Sequence, residues 1–190
     1  MAILKPIREG TRARRMARFE ILLAFGALAA ISSVGQVAEE YHVKAAFLYN
    51  FARFVEWPST AFRNQQDPFV VCVLGANPFG SALEETLGGK QIDGRAFRIS
   101  RISESPQANA CQILFIGFPD RKRMAAAIAA LPARGVLTIG ETDGFIAAGG
   151  IVNLTLREGH VGFQVNQRAA ERADLQISSR LLSLAQAVDR

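Results

Sequence analysis

PFVVCVLG (68–75) and CQILFIGF (111–118) decide the fold. Both are short runs of β-branched, aromatic and aliphatic residues that lack the polar alternation of a half-exposed strand, so both read as strands buried on two faces. VLTIGE (136–141) is a third run of this kind. Between them the pattern turns helical. Asn77 is placed to cap a helix through Ser81, Leu83 and Leu87 that stops at Gly88-Gly89, and Asp120 opens an alanine-rich helix from Lys122 to Leu131 that Pro132 to Gly135 end. In 95–102, Phe97, Ile99 and Ile102 alternate with Arg95, Arg98 and Arg101, the pattern of a partly exposed strand. Strand, helix, strand, strand, helix, strand predicts an α/β domain in three layers, with a mostly parallel central sheet and flanking helices.

The flanks extend this frame. EEYHVKAAFLYNFARFVEW (39–57) has helical spacing, with Val43, Phe47, Phe51, Phe54 and Val55 on one stripe, and Pro58 stops it at or before Trp57. IVNLTLREGHVGFQVN (151–166) reads as a hairpin turning at Glu158-Gly159, in which Ile151, Asn153, Thr155 and Arg157 alternate with Val152, Leu154 and Leu156. Residues 167–188 return to helix, with Ser178 or Ser179 capping a final segment. No repeat, long linker or low-complexity tract divides the chain.

The N-terminus reads as an address. Lys5, Arg8, Arg12, Arg14, Arg15 and Arg18 precede an apolar run from Ile21 to Val34, followed by small residues. This is the layout of a secretory signal peptide over 1–38, cut after residue 35 or 38, which leaves a domain at 39–190. The apolar run is shorter than the roughly 20 residues a spanning helix needs, so no stable membrane insertion is expected after cleavage. The chain carries a formal charge of +5, and most of it belongs to the leader. A mature domain near neutrality lacks the concentrated basic footprint of a nucleic-acid binder.

Both cysteines, Cys72 and Cys111, fall in the mature part. In an oxidising compartment an isolated pair reads as a disulfide, the alternative being two buried thiols in apolar strands. Catalytic patterns are scarce. The two histidines, His42 and His160, have no ligand spacing around them, and there is no G-x-S-x-G elbow, G-x-G-x-x-G or Walker loop. The most site-like segment is GETDG (140–144), because Glu141 and Asp143 follow a buried strand where α/β folds bind ligands. With Asn77 they form a candidate ligand loop for a small-molecule binding module. As a plain turn the same residues would need no ligand. No cofactor, metal ligand or catalytic residue is assigned, and no enzymatic activity is expected.

KAAFLYNFARFVEWP (44–58), VCVLGANPFG (71–80), CQILFIG (111–117) and GGIVNLTLREGHVGFQVNQRAAERADLQISSRLLSLA (149–185) together resemble the landmarks of the YfiR family. The resemblance covers roughly residues 40–188. It implies a periplasmic, non-enzymatic α/β domain of a Gram-negative bacterium. Such a domain binds the periplasmic sensory domain of an inner-membrane diguanylate cyclase and represses its cyclic-di-GMP output, restraining biofilm formation. The resemblance also implies homodimer formation and redox sensitivity, with Cys72 and Cys111 in the matching cysteine-bearing region. This chain has no further cysteine for a second bridge. On that reading the first helix and the C-terminal helical region are the partner surfaces, and Tyr49, Phe51, Arg53 and Trp57 are its candidate contacts.

Overall fold

The computed structural model describes residues 36–131 and 134–189. The expected leader lies outside the described residues except for 36–38, and so does Pro132 in the expected helix stop. The chain divides into compact units at 1–39 and 40–190. Among the described residues no helix is long and apolar enough to cross a membrane.

The chain is helical from residue 36, the first described, through residue 54 (α1). It stops three residues short of Trp57, because Val55–Glu56 form a short strand, β1, antiparallel to Gln176–Ile177 (β9). The buried face of α1 also differs from the expected stripe. Lys44, Ala45, Leu48, Phe51 and Ala52 are buried, as is Val55 just past the helix end, whereas Val43 is exposed and Phe47 and Phe54 only half-buried. The true stripe keeps Phe51 but otherwise runs through Ala45, Leu48 and Ala52, rotated away from Val43, Phe47 and Phe54.

β2 (Phe69–Gly75) is the pivot of an eight-stranded sheet. β4 (Arg95–Ile102) lies parallel on one side and β5 (Ile113–Gly117) parallel on the other. β6 (Leu137–Gly140) and β7 (Val152–Arg157) continue the parallel run beyond β5. β8 (His160–Asn166) returns antiparallel to β7, and β10 (Ala187–Asp189) runs parallel to β8 at that edge. β3 (Gln91–Ile92) closes the far edge antiparallel to β4, giving the order β10-β8-β7-β6-β5-β2-β4-β3. The expected α/β sheet with flanking helices is therefore present, and so is the hairpin. Its turn at Glu158-Gly159 has φ of 52° and 77°, the left-handed pair that a two-residue turn requires.

Alternation along β2 divides the core. Phe69, Val71 and Val73 point to the layer of α1, α2 (Ala82–Leu87) and α4 (Gln167–Arg172). Val70, Cys72 and Leu74 point to the opposite layer, made by α3 (Arg121–Ala129) and the 3-10 segment Ser105–Ala110. Cys72 and Cys111 form a disulfide there, with Cα atoms 5.9 Å apart, tying β2 to the entry of β5. Asp120 caps α3 by accepting from the Arg123 N–H at 2.9 Å. Covering both faces is what demands continuous apolar strands.

The single helix expected over 167–188 is broken. α4 ends at Arg172, Asp174 adopts a left-handed φ of 57°, β9 pairs with β1, and only then does α5 (Ser179–Leu182) form. Ser178 caps α5 by accepting from Leu181 N–H at 3.2 Å. The tertiary pairing of Gln176–Ile177 overrides the local helical pattern. Asn77 is likewise not the helix cap. Its Oδ1 accepts from the Phe79 N–H within the loop, and Ser81 occupies the cap position of α2.

Candidate functional site

The helix that follows β2 packs on one face of the sheet, and the helix that follows β5 packs on the other. The neighbouring carboxyl ends of β2 and β5 are therefore a topological switch point, where open α/β sheets leave a crevice. Here the crevice measures about 1030 Å³ and is walled by the loops after β2, β5 and β6, by the N-terminal part of α1 and by β7.

Glu141 and Asp143 both line it, as their position after a buried strand suggested; Asn77 does not, although its neighbours Ala76 and Pro78 do. The loop carrying Glu141 and Asp143 is held by Phe145. This side chain is fully buried, with Gly140 and Gly150 against its ring. A Cβ at Gly140 would lie 2.3 Å from that ring, and one at Gly150 2.1 Å, so neither position accepts a side chain without displacing the phenyl group. Thr142 Oγ1 donates to the Phe118 carbonyl at 2.7 Å, joining the loop to the end of β5.

The first helix reaches into the same place. Tyr41 donates its hydroxyl to Glu141 Oε1 at 3.0 Å, and Lys44 Nζ donates to Glu141 Oε2 at 2.5 Å while also pairing with Glu40. Burial, reinforced by the negative Glu141, pushes the Tyr41 phenol up to about 12. Burial alone would lower the Lys44 ammonium, but its hydrogen bonds to Glu141 and Glu40 outweigh this and hold it above its ordinary value. Lys44 is thus a fixed cation shared by two carboxylates. At the rim, Arg121 Nη2 lies 3.2 Å from Asp143 Oδ2 in an exposed pair. One group is left over: Oδ1 of Asn153, on β7, is buried without a hydrogen-bond partner. The described residues hold no cluster of three or more His, Cys, Asp and Glu side chains able to take a metal ion.

Tyr41, Lys44 and Asn153 escape a reading of local motifs. Lys44 leaves one signal, a lone charge on the buried stripe of a helix. Asn153 leaves another, a polar residue inside IVNLTL where the hairpin pattern assigns it to the wet face. Both faces of β7 are in fact buried at its base.

A second surface gathers the aromatic end of α1. Tyr49, Arg53, Trp57, Phe62 and Arg95 border a crevice of about 760 Å³. Arg95 lies 3.9 Å from the centre of the Phe62 ring, and Arg53 and Arg180 lie 5.6 and 5.5 Å from that of Phe54. Trp57 is anchored rather than loose, because its Nε1 donates to the Gln112 carbonyl and its ring meets Phe69 edge-on at 5.0 Å. Phe51 is a correction to the candidate partner surface. It is fully buried against Phe47 and Phe163, with ring centres 5.9 and 5.2 Å away, so it belongs to the core. Arg53 is exposed, and Tyr49 and Trp57 are half-buried.

Comparison with known proteins bears on the whole domain. The profile of the family described as DUF4154, YfiR/HmsC-like, matches residues 41–186. No curated protein matches the chain. Among solved structures, a conserved domain protein from Vibrio cholerae O1 biovar eltor is similar at 12% identity and a TM-score of 0.44, over 63% of this chain. The match spans about half of that protein's length, 54%.

Proposed function

As the chain belongs to the YfiR/HmsC-like family, we propose that it is a periplasmic regulator that binds the periplasmic part of an inner-membrane diguanylate cyclase and represses its cyclic-di-GMP output. The observation that carries this reading is the family match, which runs through nearly all of the compact unit at 40–190. The surface around Tyr49, Arg53 and Trp57 supports it in kind. Tyrosine, tryptophan and arginine are the residues that dominate protein interfaces, and they are gathered here around an open crevice. Arg180 stacks on Phe54 beside Arg53, which joins the C-terminal segment to the same face. Exposed guanidinium groups on aromatic rings give a partner both an apolar footing and a charge to pair with.

The test is genetic. Deleting the gene in its native host is expected to raise cellular cyclic-di-GMP, and a plasmid copy with its leader intact should restore the original level. An unchanged level after deletion, under conditions where the protein is made, would contradict repression.

A further inference from the structure

We propose that the crevice at the strand ends binds a short extended peptide with free termini, laid beside β7 in the lane that β6 vacates. The lane is a consequence of unequal strand lengths. β6 stops at Gly140, opposite Asn153, whereas β7 runs on to Arg157. From Leu154 to Arg157 the only strand beside β7, among the described residues, is β8. Because the two-residue turn closes on Arg157 and His160, alternate residues of β7 exchange main-chain bonds with β8, and Leu156 turns its N–H and C=O toward the empty side. Residues 154 to 157 all line the crevice, which therefore has one wall made of an open strand edge. Such an edge recognises extended backbone.

An independent feature points to a ligand at the same place. Asn153 stands where β6 ends, is only 7% exposed, lines the crevice, and keeps its Oδ1 without a donor. A buried acceptor left unpaired is costly, and an incoming N–H would satisfy it. A peptide offers such donors at every residue.

Charge sets the direction. At the end of the lane next to β6, the three carboxylates Glu40, Glu141 and Asp143 outnumber their partners Lys44 and Arg121 by one charge, and Arg157 stands at the far end, exposed and without an ion pair among the described residues. An ammonium terminus matches the first end and a carboxylate terminus the second, so the peptide runs parallel to β7, as β6 does. Four strand residues span about 13 Å, the length of a tetrapeptide. Leu156, half exposed, gives an apolar footing for one of its side chains.

The test is calorimetric titration of the purified protein with tetraalanine and with alanyl-leucyl-alanyl-leucine, each with free termini and as its C-terminal amide. Saturable binding of a free peptide is expected, with amidation weakening it at least about tenfold, as befits loss of a charge-assisted bond. Arg157→Glu, at an exposed position that the fold does not need, should weaken the free peptide and abolish its advantage over the amide. Asn153→Leu should weaken free and amidated peptides alike. Absence of saturable binding by either free peptide at millimolar concentration would overturn the proposal. So would binding that is indifferent to both amidation and Arg157→Glu, or self-association of the protein through this edge with no peptide bound.

Discussion

Replacing Cys72 and Cys111 together by alanine is expected to lower the stability of the protein by about 4 kcal/mol. The two residues are 39 apart in sequence, and their bond closes a loop that holds α2, β3, β4 and the Ser105–Ala110 segment. Cutting it returns conformational freedom to the unfolded chain, while the folded chain still has apolar strands and helices on both sides of β2 to hold it together. For a domain of this size such a loss corresponds to a fall of roughly 8–16 °C in melting temperature. Both sulfurs are buried between β2 and α3, so alanine at each site also leaves a small void that adds to the loss. Urea unfolding of the oxidised protein and the double variant measures the difference. A change under about 1 kcal/mol would mean that the bond only decorates an already sufficient core.

The second large effect separates core from surface on one helix. Phe51→Ala should cost about 3–5 kcal/mol, because the ring is fully enclosed and its neighbours Phe47 and Phe163 cannot all close in behind it. Arg53→Ala, two residues on but exposed, should stay within about 0.5 kcal/mol of the parent. Chemical unfolding of the two variants beside the parent protein checks both values. A small effect at Phe51 would contradict its place in the core and return it to the surface set with Tyr49, Arg53 and Trp57.

These two experiments fall on features of differing legibility. The strands at Phe69–Gly75, Ile113–Gly117 and Leu137–Gly140 could be read directly, since a strand covered on both faces must be apolar throughout. The hairpin was as plain, with Glu158-Gly159 supplying the turn. The cysteines lie in or beside two of those strands, so the bridge followed from compartment and pairing. By contrast, β1 and β9 are two residues each and far apart in the chain, and neither has a local pattern of its own. Their pairing both shortens α1 and breaks the expected C-terminal helix. Phe51 could not be sorted from Tyr49 and Trp57 by type, because burial of a ring depends on which layer lies above it. At the strand ends, Glu141 and Asp143 were visible as acidic residues after a buried strand. Their tie to Tyr41 and Lys44 was not, for that contact crosses about a hundred residues of chain.

Under the proposed function, the domain holds a cyclase through the face bordered by Arg53 and Arg180. The most direct measurement is the amount of the cyclase's purified periplasmic segment retained by the immobilised protein, compared with the Arg53→Glu, Arg180→Glu variant. Both side chains are exposed, so the variant should unfold like the parent while losing at least about tenfold in retention, since each change places like charge where the partner meets a cation. Retention unaltered by the double substitution would contradict the assigned face, and no retention by the parent protein in either redox state would contradict regulation through cyclase binding.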